Sequence, residues 1–317
     1  MKTLKIILLI VLILGVVAIT SILIATLFGG LSISFPYSVP AIVISDEQFE
    51  ADGIETIEID LASADVVLRK SENESFRVVF SGPNSEKEDP TITAVGESDK
   101  IVIQQRSQVM SIFGMGHRVV TVYIPEGFSG TIDHQCASGD MEVTEDFSFD
   151  EFSYRVASGD MRCKNLVADK LTIDTSSGDL LCGAVEAVEF NLKTASGDMS
   201  IEKLIGNGSV KMISGDIRID DYIAGGLISS SSGDISISLR EMTSDLTIKA
   251  ISGDIDMTVG QDFSAQLDIS VTSGNISVGT PLDDAHVGKR TTTGMVGENP
   301  EYLLKIETTS GDVRFDG

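Results

Sequence analysis

FSYRVASGDMRCKNLVADKLTIDTSSGDLLC, residues 152–182, carries one phrase twice, with Ser158-Gly159-Asp160 and Ser177-Gly178-Asp179 at equivalent places. Apolar residues stand six and four positions before each serine, at Phe152 and Tyr154 and again at Leu171 and Ile173, with the polar Arg155 and Asp174 between them and the turn. After each Asp the order is apolar, variable, apolar: Met161 and Cys163, then Leu180 and Cys182. Alternation with period two is the mark of a strand with one buried face, and the helical spacing of three and four is absent. Each unit therefore reads as strand, tight turn, strand and a short return. Gly supplies the backbone freedom a sharp corner needs, while Ser and Asp can hydrogen-bond nearby backbone.

The phrase recurs along the rest of the chain. The first residues of the successive triplets are Ser138, Ser158, Ser177, Ser196, Ser214, Ser232, Ser252, Ser273, Thr293 and Ser310, separated by 17 to 21 residues. A near-constant period of that size indicates a solenoid of about ten coils of ~19 residues, an all-β fold whose strands stack in parallel coil on coil. Two copies are degenerate, Ser273-Gly274-Asn275 and Thr293-Gly294-Met295. A third imperfect copy stands upstream, where Ser63-Ala64-Asp65 is flanked by Ile57, Ile59 and Leu61 before it and by Val66 and Leu68 after it. With the strand-like runs 76–80, 100–105 and 119–125 it makes residues 51–130 an atypical N-terminal cap, and 131–317 the repeat body. Solenoids need such caps because an open end offers unpaired backbone to other chains.

Residues 6–28, IILLIVLILGVVAITSILIATLF, are uncharged and long enough to cross a bilayer as one helix. Lys2 and Lys5 precede this run and no Lys or Arg follows until Arg69, which places residues 1–5 in the cytoplasm and the rest outside. A cleaved signal peptide is the competing reading, but it calls for a shorter apolar core and a small-residue cleavage site. The expected order is thus a cytoplasmic N-terminus (1–5), a transmembrane anchor (6–28), a stalk (29–50) and an extracellular domain on the cell membrane.

The 317 residues carry 23 Lys+Arg against 48 Asp+Glu, a net charge of −25. That balance argues against nucleic acid, which is bound by neutralising phosphates, and favours cations or basic envelope proteins as partners. Asp140, Asp160, Asp179, Asp198, Asp216, Asp234 and Asp254 share one corner of successive coils. If the corners stack, their carboxylates form a ladder. The expectation is that each accepts hydrogen bonds from its own turn, with weak cation binding, Ca²⁺ included, as a secondary property. Ile112, Phe113 and Met115, in the run SIFGMG (111–116), suggest a contact with a partner or the bilayer, or a flap folded over the first coil. Cys136, Cys163 and Cys182 all fall on inward offsets and read as buried core residues, with a Cys163–Cys182 disulfide as the alternative the spacing allows. No cofactor is implied. Catalysis finds little support. No carboxylate pair stands out for glycoside hydrolysis, Trp is absent, aromatics make up 6%, and His117, His134 and His286 sit in unrelated contexts.

The Val-Tyr-Ile-Pro strand at 122–125 followed by serial Ser-Gly-Asp turns resembles a bacterial family, the adhesin-like proteins of the toastrack type, including LiaG-like proteins of envelope-stress operons. The resemblance covers roughly residues 50–317 and implies a membrane-tethered β-solenoid outside the cell, with no catalytic residues to transfer. It leaves two non-enzymatic roles open, an adhesin-like interaction module or a ligand- or cation-binding sensor subunit of an envelope-stress system. A polysaccharide-active β-helix enzyme is the more distant third.

The anchor reading has a direct check. Protease added to intact protoplasts is expected to remove the ectodomain and leave a short membrane-embedded fragment. A soluble mature protein beginning near residue 30 would refute it.

Overall fold

The structure, a computed structural model, describes residues 42–84, 87, 90–106 and 117–317. The expected anchor at 6–28 and the run 111–116 with Ile112, Phe113 and Met115 lie outside the described residues. Among the described residues no helix is long and apolar enough to cross a membrane. The first strands are β1 (Ile42–Glu50), β2 (Thr56–Ser63), β3 (Asp65–Lys70), β4 (Ser75–Gly82), β5 (Ile92–Glu97), β6 (Lys100–Gln105) and β7 (Val119–Ile124). The repeat follows as β8 (Thr131–Ser138), β9 (Met141–Val143), β10 (Phe147–Ser158), β11 (Met161–Ser177), β12 (Leu180–Ser196), β13 (Met199–Ser214), β14 (Ile217–Ser232) and β15 (Ile235–Ser252). The last are β16 (Ile255–Val259), β17 (Ala265–Ser273), β18 (Ile276–Val278), β19 (Asp283–Val287), β20 (Thr291–Val296), β21 (Leu303–Ser310) and β22 (Val313–Asp316).

Each coil is three-sided. In β11 the inward side chains are Met161 and Cys163, then Leu166 and Ala168, then Leu171, Ile173 and Thr175. Two consecutive outward or half-buried residues, Lys164-Asn165 and Asp169-Lys170, shift the phase at each corner, and Ser177-Gly178-Asp179 makes the third. Alternation within a side and a slip between sides keep every buried residue pointing at one axis. The return expected as a short connection is therefore a strand face of its own. Coils pair in parallel register through the whole repeat body, from Tyr154↔Ile173 to Ile173↔Leu192 and onward. Differences in coil length are absorbed as bulges, for example between Glu186 and Glu189.

Three expectations are corrected. First, coils do not stack in sequence order throughout. The last coil, β21 and β22, is inserted between β15–β16 and β17–β18, with Ser310 opposite both Ser252 and Ser273. Second, Thr293-Gly294-Met295 is not a corner; it lies inside β20, antiparallel to β17, with Asp268↔Thr293 and Leu267↔Gly294. Ser63-Ala64-Asp65 is a corner of the stack, at the end opposite Ser273, since β2 and β3 join β8 and β9 with Ser63 opposite Ser138. Third, Cys163 and Cys182 are inward as expected but joined in a disulfide, their Cα atoms 4.6 Å apart, while Cys136 is free and buried. Parallel register sets the two directly opposite on one inner side, within bonding reach.

Both ends are closed by antiparallel strands, β1–β4–β7 and β5–β6 at one and β17–β20–β19 at the other. Ile42–Glu50, within the stretch expected as a stalk, is a paired strand of this cap. Charged residues line the outside, where Arg155 meets Asp133 of the preceding coil at 2.8 Å and Lys193 meets Asp174 at 3.0 Å. Such exposed pairs contribute about 1 kcal/mol or less each.

Leu192 is fully buried and Lys193, the next residue, is exposed. Leu192→Asp is expected to cost several kcal/mol by burying an unpaired charge, and Lys193→Asp about 1 kcal/mol, by setting a carboxylate opposite Asp174. Urea denaturation of both variants checks the register; equal losses would contradict it.

Candidate functional site

The Ser-Gly-Asp corners form one column. Its order in space is Ser63, Ser138, Ser158, Ser177, Ser196, Ser214, Ser232, Ser252, Ser310 and Ser273. Backbone bonds cross each corner: the Gly159 N–H donates to the Ser177 carbonyl at 2.9 Å and the Met161 N–H to the Asp179 carbonyl at 2.9 Å. The Asp N–H between them points back to the preceding coil and finds a side chain. Asp179 N–H donates to Asp160 Oδ1 at 2.9 Å, Asp198 to Asp179 at 2.9 Å, Asp216 to Asp198 at 2.9 Å and Asp234 to Asp216 at 2.8 Å. The same bond links Asp140 to Asp65, Asp160 to Asp140, Asp254 to Asp234, Asp312 to Asp254 and Asn275 to Asp312. This corrects the expectation that each carboxylate would accept bonds from its own turn: the carboxylates serve the next coil's backbone instead. The reason is geometric: the corner turns the Asp N–H away from any main-chain acceptor, and a side-chain oxygen completes the ladder.

Glycine is needed at the corner for a second reason besides conformation. A Cβ at Gly159 would overlap the carbonyl of Gly139, and one at Gly215 the carbonyl of Gly197, where φ is +122°. The corners stack too closely for any side chain at that position.

Most ladder carboxylates keep Oδ2 for solvent; that of Asp160 meets Arg162 Nη2 at 3.0 Å, and that of Asp65 lies 3.3 Å from His117 Nε2. The Asp residues sit one strand spacing apart, where unit charges repel by about 1 kcal/mol in water. Among the described residues no three His, Cys, Asp or Glu side chains converge as a metal site.

A second acidic feature lies on the cap side of the column. The loops 51–55, 71–74 and 125–130 enclose an open cleft of about 1550 Å³. Its lining carries Glu50, Asp52, Glu55, Glu72, Glu74, Glu126 and Asp150, with neither Lys nor Arg among its described residues. The loops are fixed from below. Thr131 N–H donates to the Glu55 carbonyl at 2.8 Å, Phe128 N–H to Pro125 at 3.1 Å, and the Phe128 ring meets Phe76 edge-on with centroids 5.0 Å apart. Sequence reading missed this cleft because its carboxylates come from four separated segments. The three loops are turn-rich, but no spacing in the chain announces that they meet.

The profile of the family Toastrack DUF4097 matches residues 54–315, and the chain belongs to that family. No curated protein matches the sequence. Among solved structures, the chain is similar to a candidate lipid-binding protein from Parabacteroides distasonis ATCC 8503 at 11% identity, covering 86% of this chain and 96% of that one, with a TM-score of 0.50. It is also similar to a candidate adhesin from Bacteroides fragilis NCTC 9343, at 11% identity and the same coverage, with a TM-score of 0.45. Identity at this level shows the fold alone.

The ladder generates a sharp expectation. Asp198→Ala leaves the Asp216 N–H without its acceptor and is expected to cost about 1 kcal/mol. Asp198→Asn retains Oδ1 and removes one like charge, so it should cost less than the Ala variant at low salt. Thermal unfolding at low and high ionic strength checks both. An Asn variant as weak as the Ala variant would mean that the bond is not what holds the corner.

Proposed function

We propose that this toastrack protein is a non-catalytic, adhesin-like interaction module of the cell envelope, tethered by residues 6–28, displayed outside the cell, and engaging a cationic partner. The observation that carries this reading is the cleft at 51–55, 71–74 and 125–130, whose seven carboxylates face no Lys or Arg of the lining. Carboxylates gathered on loops held by half-buried Phe128 keep their positions without a bound cation, so the repulsion between them is relieved when a basic segment docks. The corner column extends the negative surface along the repeat body, most of its Asp residues offering one oxygen to solvent. A link to envelope stress follows from the resemblance noted above, with the cleft as the surface a basic envelope protein would meet.

A labelled oligolysine peptide and the full-length chain in detergent micelles test the reading by fluorescence anisotropy. Binding is expected to weaken steeply with salt. Glu72→Lys, Glu74→Lys and Glu126→Lys together should weaken it tenfold or more. The control reverses Glu142, Glu186 and Glu202, which are exposed and lie on the repeat body; it alters net charge equally and should change binding little. Equal losses in the two sets would show that net charge alone, and not the cleft, attracts the peptide. Saturable binding of Ca²⁺ in preference to the peptide would favour the sensor role instead.

A further inference from the structure

One inward column of the solenoid runs, in space, Ile59, His134, Tyr154, Ile173, Leu192, Val210, Ile228, Ile248, Ile306 and Ile269. Eight members are aliphatic. His134 is fully buried, and neither Nδ1 nor Nε2 has a hydrogen-bond partner. Its ring stacks on Tyr154 with centroids 5.4 Å apart and an interplanar angle of 29°. The Tyr154 hydroxyl is directed elsewhere, toward the carbonyls of Gly159 and Asp160 at 3.4 Å each. From β2 the facing residue is Ile59. The charged residues of the packed strands, Glu58 and Asp60 on β2 and Glu151 and Arg155 on β10, hold outward register positions, with Glu58 paired to Lys100, Glu151 to Lys170 and Arg155 to Asp133 on His134's own strand. The Cys136 thiol, two residues along, is held neutral by burial.

His134 also faces the seam between the cap coil and the repeat body. The cap coil meets the repeat body through β2–β8, from Thr56↔Thr131 to Ser63↔Ser138, and through β3–β9, from Val66↔Met141 to Leu68↔Val143. The strand pair β11–β12, by contrast, is in register along all three sides.

We propose that His134 makes the joint between the N-terminal cap coil and the repeat body open in acid. A buried imidazole with no acceptor for its protons is stable only when neutral, because charging it there leaves a cation without hydrogen bonds or a counter-ion. Burial accordingly pushes its pKa down from the ordinary 6.5 to about 4. The folded joint stays neutral through the interval in which a solvated His134 takes a proton. The stability this residue permits is complete above about pH 6.5 and is lost progressively as the pH falls toward 4. The β2–β8 and β3–β9 pairings are shorter than that of β11 with β12, and on the β2 side His134 faces Ile59 without the ring stacking that Tyr154 adds from β10, so β2 and β3 part from β8 and β9 before the body unfolds. Opening would bare the β8 edge and the apolar column behind it. The device is independent of the cationic partner proposed above.

Backbone hydrogen exchange of the full-length chain in micelles, corrected for the pH dependence of the intrinsic rate, tests the joint at pH 7.5 and 5.0. Protection of 56–68 and 131–143 is expected to fall by roughly twentyfold relative to 199–239. His134→Ile, which continues the aliphatic column, should abolish that difference, and so should His134→Phe, which keeps a ring against Tyr154. A loss that persists in both variants, or one spread evenly over 199–239, overturns the proposal.

Discussion

The bond from each Asp carboxylate to the Asp N–H of the next coil is the constraint on which the stack depends. A β-solenoid must turn sharply without interrupting the ladder between coils, and a sharp turn rotates some donors away from their acceptors. Here the side chain supplies the missing acceptor, and glycine, without a Cβ, lets the corners approach closely enough for the bond to form. The three parts of the triplet act on neighbouring coils rather than on their own turn. Register, coil spacing and the inward aim of the apolar columns follow from that one repeated contact.

The ends of the column show the same constraint by its absence. At the first corner the glycine is replaced by Ala64, and the Asp65 N–H donates to the Arg118 carbonyl. At the later corners a Cβ at this position would point toward the preceding corner, as that of Gly139 would toward the Ala64 carbonyl. At the other end stands Asn275. Its N–H and Nδ2 both donate to Asp312 Oδ1, at 2.8 and 3.1 Å, and within the described column no later N–H calls on it as an acceptor. A neutral amide ends the ladder without adding another like charge. Ser63-Ala64-Asp65 and Ser273-Gly274-Asn275 are therefore the end rungs of the described column, and the latter is terminal in space only, since Ser310-Gly311-Asp312 follows Asn275 in the chain but precedes it in the stack.

Acidic residues are divided between two tasks. Those of the column each spend one oxygen on the fold, and those on the outer sides are often answered by Lys or Arg of a neighbouring coil, as Asp174 is by Lys193. The cleft beside the cap differs because its carboxylates lie on loops, where coil-to-coil register does not place a cation opposite each of them. Within the core the disulfide between Cys163 and Cys182 ties adjacent coils, and His134 introduces the one imidazole of its aliphatic column.

The sequence by itself determined the parallel all-β repeat, its inward columns and the place of each Ser-Gly-Asp corner, because strand alternation and turn chemistry are local and the period repeats them. Ile173, Leu192 and Ile248 could be assigned to the core, and Lys193 to the surface, from offsets alone. Tertiary structure alone decided which coil lies next to which. The insertion of β21–β22 between β16 and β18, and the antiparallel course of β20 through Thr293-Gly294-Met295, depend on long-range pairing that a matching triplet does not encode. The same holds for the acceptor of each Asp N–H, the closure of the disulfide and the convergence of the cleft's carboxylates. Each requires two segments far apart in the chain to meet in space, and period and composition are silent on that meeting.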